Sequence, residues 1–339
     1  MKHTISYSEI ERFKRCRQLW NYTDQLGLEP LVEARERTFG TAIHHALDRY
    51  YGFGEHPTRT FLAWWDNYLR ECADTQDQQV LFDDYALGVG MMEGFAAWAP
   101  EADRFRVIHT EYTFEVAIPG TDGTFKGRID GIAQDEYGSY WILEHKTCKN
   151  LPYPDHLHFD EQTVLYQWAM QESVAQGRVE YIPSDARLEG VIWTGLRKVL
   201  PKRPELVERG KRLSRVKIAT TYEVYLATIL AHNFDPADYQ AVLLELQSNP
   251  DTFFRRDWHM RGRRELEIAA WELAAAYQEM RRESIPVYRT ANRFNCERCD
   301  FREPCQLAQK GGHIDTILRT AFSVRDQTLD DVTEEAMLS

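Results

Sequence analysis

The stretch FKGRIDGIAQDEYGSYWILEHK, from Phe125 to Lys146, sets the fold. Two β-prone runs flank Asp135-Glu136-Tyr137-Gly138-Ser139, a cluster of turn-forming residues, so the stretch predicts a β-hairpin. Its first arm ends around Gly127-Arg128-Ile129-Asp130-Gly131, and its second runs from Tyr140 to Thr147. Alternate side chains of a strand share a face, so Glu144 and Lys146 point one way and His145 the other. Pairing the arms brings Asp130 beside Glu144. Two carboxylates and an ammonium at one spot are costly unless a hard divalent cation sits between the carboxylates. Such a set suits phosphodiester hydrolysis, in which the cation binds phosphate and activates water while the lysine steadies the developing charge.

Asp130 followed by Glu144-x-Lys146 resembles the acidic and (D/E)xK elements of the PD-(D/E)xK nuclease superfamily. Upstream stands Phe39-Gly40-Thr41-Ala42-Ile43-His44-His45-Ala46-Leu47-Asp48. Ile43, Leu47 and Tyr50 mark the apolar side of a helix, and His44 and Asp48 lie one turn apart on a shared face. The pattern G-x-x-x-H-x-x-x-(D/E) is similar to the first motif of the RecB-like branch of that superfamily. The resemblance implies that His44 ligates the catalytic metal, with Asp48 in place of the more usual glutamate and His45 as the neighbouring alternative. A helix opens near Asp160, and in it Gln162 and Tyr166 share a face. This Q-x-x-x-Y is similar to the third RecB-like motif, which implies that the two residues border the active site and position DNA or the lysine. The same likeness implies the backbone carbonyl of His145 as a further ligand beside His44, Asp130 and Glu144. A histidine among the ligands softens the site, so Mg²⁺ or Mn²⁺ is expected, with Mn²⁺ favoured.

Near the C-terminus, Cys296, Cys299 and Cys305 have the spacing C-x2-C-x5-C. Three cysteines this close imply a metal site that lacks a nearby fourth ligand, and Cys16 is the natural candidate. One N-terminal cysteine with a C-terminal triplet resembles the iron–sulfur nucleases of the CRISPR spacer-acquisition exonuclease and AddB-type branches. There four thiolates hold a [4Fe–4S] cluster. A structural zinc ion would use the same ligands, and the cysteine count does not separate the two. Cys72 and Cys148 read as free thiols, with Cys148 close behind Lys146.

The chain has 339 residues, 43% of them apolar, and a formal net charge of −12. It can bury a sizeable core. Mean hydropathy is −0.54, no apolar run is long enough for a bilayer, and MKHTISYSEI lacks a signal-peptide core, so a soluble cytoplasmic protein with no membrane partner is expected. The acidic balance argues against a surface that coats nucleic acid generally, but not against a local basic groove. One such island is 197–217, with nine cations against Glu205 and Glu208. It reads either as a phosphate-attracting surface or as a solvated loop.

Residues 4–22 read as a helical N-terminus in which Ser6 and Glu9 fit a capping box. Residues 57–100 read as core-facing helices, 104–118 and 187–196 as strands, and 263–283 as an amphipathic helix. The expected architecture is α/β: a central mixed β-sheet flanked by helices, with a restriction-endonuclease-like core. It would form one nuclease domain over 1–310, with helical insertions at about 55–103 and 198–285, cluster-binding segments around 16 and 296–305, and an acidic tail over 311–339, disordered in part or docked as a short helix. The texture of the second insertion is similar to phage-encoded nucleases.

The resemblance implies a metal-dependent DNA exonuclease acting on single-stranded ends in recombination, repair or spacer capture. The chain has no phosphate-binding loop of the helicase type, so unwinding would need a helicase or recombination partner. Two other classes stay open: a catalytically silent DNA-binding or assembly protein, and a zinc-stapled protein without a nucleic-acid role.

Overall fold

In the computed structural model, which describes residues 3–31, 35–72 and 78–325, the Asp135 turn closes as its residues dictate. Asp135 Oδ1 accepts from the backbone N–H of Tyr137 (2.9 Å) and Ser139 (2.8 Å), and Oδ2 accepts from Trp141 Nε1 at 2.9 Å. Gly138 takes φ +87°, a conformation that side chains disfavour. This turn joins two members of a larger set of strands. They are β1 (Thr4–Ser6), β2 (Leu28–Pro30), β3 (Phe105–Ala117), β4 (Thr124–Asp135), β5 (Tyr140–Cys148), β6 (Leu188–Arg197), β7 (Leu206–Val207), β8 (Arg212–Leu213), β9 (Phe254–Met260) and β10 (Phe322–Val324). The helices are α1 (Tyr7–Arg15), α2 (Arg17–Trp20), α3 (Arg35–Phe53), α4 (Pro57–Cys72), α5 (Gln78–Ala102), α6 (Glu161–Ala175), α7 (Tyr222–Ala231), α8 (Gln240–Ser248), α9 (Arg263–Met280), α10 (Arg293–Glu297), α11 (Arg302–Gln309) and α12 (Asp315–Ala321). None of the described helices is long and apolar enough to cross a membrane.

Six strands form one mixed sheet in the order β1-β4-β5-β6-β9, with β3 on the other edge of β4. β1 runs parallel to β4 and β5 parallel to β6, whereas β3/β4, β4/β5 and β6/β9 are antiparallel. Helices cover both faces, which is why β6 is buried nearly end to end and β5 from Trp141 to His145. On one face Ile132, Ile142 and Val191 pack with α6 and α9 through Leu165, Ala169 and Leu273. Across the sheet, α3, α4 and α5 share a core of Phe39, Ile43, Phe61, Trp65 and Phe95. The fold is therefore the α/β sandwich that the hairpin and the flanking helical patterns predict.

One detail of the sheet positions the site. β1 pairs with Thr124–Lys126 and β5 with Gly131–Gln134, both along the same edge of β4. Residues 127–130 between them have no ladder partner on that side, and Asp130 sits where the β4/β5 pairing stops.

Several elements differ from the sequence reading. Thr4–Ser6 is a strand rather than the start of a helix, because parallel pairing with β4 captures it. Ser6 still caps α1, accepting from the Glu9 N–H at 3.4 Å, but the Glu9 carboxylate accepts from Trp20 Nε1 instead of closing a capping box. The span 198–285 is not only helical: Phe254–Met260 forms the edge strand β9, and α9 belongs to the core packed on the sheet. In the C-terminal part, α12 and β10 dock on the N-terminal segment, and β10 pairs antiparallel with β2. The acidic residues Asp330, Asp331, Glu334 and Glu335 lie outside the described residues, as does the side chain of Cys72.

Candidate active site

Helix α3 brings one imidazole to the gap in the sheet. Phe39, Ala42, Ile43, Ala46 and Leu47 form its buried stripe, at helical spacing, and His44 stands at the border of that stripe. His44 Nδ1 meets Asp130 Oδ1 at 3.0 Å. The other oxygen, Asp130 Oδ2, accepts the backbone N–H of His145 at 2.6 Å. The aspartate thus replaces the ladder bond that β4 and β5 no longer make, and ties helix to strand.

Glu144 and Lys146 share a face as alternation requires, and form an ion pair. Lys146 Nζ also donates to Gln162 Oε1 at 2.9 Å. Gln162 is in the first turn of α6, whose start is fixed by Asp160 accepting from the Thr163 N–H at 2.8 Å. One turn on, Tyr166 is buried edge-on to Tyr7 and Phe114, with ring centroids 6.4 and 5.2 Å away. The His145 side chain lies on the opposite face, stacked on Tyr51 of α3 at 5.6 Å and 3°. Its Nδ1 is buried without a hydrogen-bond partner.

The structure adds Glu111 to the site. Glu111 lies on β3 between the paired positions Thr110–Gly131 and Tyr112–Ile129, hence opposite Asp130, and has φ +50°. His44, Glu111 and Asp130 offer ligand atoms that all lie within 4.8 Å of one another. Arg128 Nε is 2.6 Å from Glu111 Oε2, but without hydrogen-bond alignment, so that oxygen has no aligned donor. Glu144 is outside this group of three, because its carboxylate is turned to Lys146.

The electrostatics are those of a site short of positive charge. Burial, then the charge of Asp130 against the pull of Lys146, raises the Glu144 carboxyl above its usual range. Burial also raises Glu111, and Asp130 and Asp48 push the same way. Burial alone would raise Asp130 too, but His44 and the His145 amide outweigh it and hold that carboxyl below its usual range. Burial lowers His145 to about 4 and so keeps it neutral. Lys146 stays charged because Glu144 overcomes its burial. Buried carboxylates with strained protonation, converging in one cleft, fit a divalent cation with oxygen and imidazole ligands.

A sequence model of the PD-(D/E)XK nuclease superfamily matches residues 4–306. The chain belongs to this superfamily. The match runs from β1 to α11 and so includes the gap in the sheet, the E-x-K pair and all four cysteines at 16, 296, 299 and 305. No curated protein matches the chain. A solved structure titled "Crystal structure of SSO0001" shares 12% identity over 89% of this chain and 84% of its own, with a TM-score of 0.33.

The four cysteines line one cavity of about 360 Å³ between α1–α2 and the 289–309 segment. The Thr290 N–H donates to Cys16 Sγ at 3.3 Å. Burial raises the thiols of Cys299 and Cys305, and the neighbouring Cys16 adds to both shifts. Zinc–sulfur bonds of about 2.3 Å would set tetrahedral sulfurs about 3.8 Å apart. Among the described residues, no three cysteine sulfurs lie within 4.8 Å of one another.

Proposed function

We propose that this chain is a divalent-metal-dependent deoxyribonuclease acting from single-stranded ends, of the RecB-like iron–sulfur branch of its superfamily. The observation that carries the reading is Asp130, whose one carboxylate joins His44 and the His145 amide beside Glu111 and the Glu144–Lys146 pair. His44, Asp130, Glu111 and Glu144 would hold the divalent ion, with the His145 carbonyl as a further ligand. When bound, that ion supplies Lewis acidity at the scissile phosphate and makes water a stronger acid.

The chain's own groups do the rest. Lys146 remains an ammonium beside Glu144 and donates toward phosphate oxygens as negative charge grows on them. Gln162 accepts from Nζ and so aims it, while Tyr166 seats α6 against the strands that carry the site. Neutral, buried His145 stacks on Tyr51 and fixes β5 against α3. Cys16, Cys296, Cys299 and Cys305 would hold a [4Fe–4S] cluster with a structural role. The preference for single-stranded ends rests on the RecB-like motifs around His44 and Gln162, as does a helicase or recombination partner.

The test is end-labelled single- and double-stranded DNA, linear and circular, incubated with Mg²⁺, Mn²⁺ or EDTA, with the products sized. Short products from linear single strands with either ion, and none in EDTA, are expected. No cleavage under any divalent ion overturns the reading, and equal cleavage of circular DNA overturns the exonuclease part.

A further inference from the structure

The segment between β6 and β9 is divided by charge. From 197 to 217 nine cations face two carboxylates, whereas 218–253 holds Glu223, Asp235, Asp238, Glu245 and Asp251 and neither Lys nor Arg. Internal partners occupy some of the cations. Lys217 pairs with Glu245 at 3.1 Å, Arg212 with Glu208 at 2.6 Å, and Arg215 donates to the Asp238 carbonyl at 2.5 Å. Lys202, Arg203, Arg209 and Lys211 are exposed, and among the described residues their side chains have no ion-pair or hydrogen-bond partner.

These four are carried on a closed hairpin and its neck. The neck is closed by Lys202 N–H donating to the Ala219 carbonyl and Ser214 N–H to the Glu205 carbonyl, both at 2.7 Å. Leu213 of β8 is buried against Tyr225, Ile229, Tyr239 and Leu243 of the following helical segment. Left-handed backbone at Glu208, Arg209 and Gly210 (φ +53°, +57° and +85°) forms the hairpin tip.

The segment begins at the site. β5 and β6 run parallel, with Lys146 opposite Gly195 and Cys148 opposite Arg197, so both strands end on the same side. Lys198 N–H donates to the Cys148 carbonyl at 2.8 Å, and Lys198 Nζ lies 6.0 Å from the centre of the Phe39 ring, on the helix that carries His44. The segment that carries the cations therefore starts beside the end of the E-x-K strand.

We propose that Lys202, Arg203, Arg209 and Lys211 form a second binding surface for a phosphodiester backbone, which holds the nucleic-acid strand beyond the cleft. A formal net charge of −12 disfavours the approach of a polyanion overall, and a cluster of unpaired cations offsets it locally. The contacts are to phosphates, so they are insensitive to sequence and sensitive to salt. This inference rests on the nuclease reading only in taking nucleic acid as the ligand.

The test measures binding rather than cleavage. Fluorescence anisotropy of end-labelled single-stranded DNA of about 30 and about 8 nucleotides is followed across a KCl series in EDTA. The variants are Arg209→Ala/Lys211→Ala, the quadruple variant that adds Lys202→Ala and Arg203→Ala, and the charge-matched control Arg263→Ala/Arg264→Ala. For the longer strand, the slope of log K against log salt should flatten by about 1.4 in the double and about 2.8 in the quadruple variant, from about 0.7 per lost phosphate contact. The short strand and the control should keep wild-type behaviour. Unchanged slopes, an equal effect of the control, or no binding by wild type overturns the surface. Wild type that binds through these cations but never cuts overturns the nuclease reading and leaves the surface standing.

Discussion

Glu144 and Lys146 are each other's counter-charge on a face of β5 covered by α6, and neither has another charged partner as close. Lys146→Ala would leave the most buried carboxylate of the cleft without its cation. The DNA cleavage rate should fall by roughly 10²–10³, the scale of losing one aligned donor to a developing anion. Binding of DNA in EDTA should change little. Cleavage at wild-type rate by this variant would contradict the role given to the lysine. A second residue sets a pH dependence away from the site. Burial, then the charge of Asp24, pushes the Glu9 carboxyl up to about 7 from an ordinary 4.5, against the Trp20 hydrogen bond and Arg12. The folded chain then binds a proton that the unfolded chain has given up. The stability this group contributes is complete below about pH 4.5 and is lost as pH rises to about 7. The loss is on the order of 1 kcal/mol after solvent screening. Melting curves from pH 4.5 to 8 should show it in wild type, and Glu9→Gln should flatten that part of the profile.

Elements were legible where periodicity is strong and local. The stripe of α3, the turn at Asp135 and the alternation in β5 each follow from neighbouring residues, so His44, Asp130, Glu144 and Lys146 could be assigned to defined faces before any coordinates. Glu111 could not, because its approach depends on the long-range β3/β4 register and a left-handed residue within a strand. β1 is too short for a period to show, and it is a strand only because β4 accepts it. β9 hides its alternation under charge: Arg256 is buried on Asp103 and Tyr51, and Arg255 pairs with Asp257 at 2.7 Å. The α4–α5 contact yields a prediction at this scale. A Cβ at Gly88 would lie 2.0 Å from the fully buried Phe61 ring, so the two helices meet there with no room for a methyl group. Gly88→Ala should destabilise the fold by about 1–3 kcal/mol through overpacking. Calorimetry should also show Phe61→Leu restoring part of that loss in the Gly88→Ala background, since the shorter side chain makes room. Additive losses in the double variant would refute the contact as its cause.

At the scale of the whole molecule, segments 19–28 and 301–322 meet in a third small core. Leu19, Tyr22 and Leu28 pack there with Phe301, Ile314, Leu318 and Phe322, and the rings of Tyr22, Phe301 and Phe322 stack in series at 5.0 and 4.6 Å. Backbone bonds cross the junction from Gln18 to Tyr288 (3.1 Å) and from Arg325 to Gly27 (2.8 Å). This core is small for joining segments separated by nearly the entire chain, and closing so long a loop carries a real entropic cost. A cluster on Cys16, Cys296, Cys299 and Cys305 would hold the junction shut. Protein prepared without oxygen should then be brown and carry about four iron atoms per chain. Cys16→Ser should lose the visible absorbance and about 2–4 kcal/mol of stability, the scale of a covalent link across a long loop. Cys148→Ser removes a thiol on the E-x-K strand, outside the cysteine cavity, and should keep both iron and stability. A colourless wild-type protein of full stability, or one zinc ion per chain in place of iron, would show that the junction is held in another way.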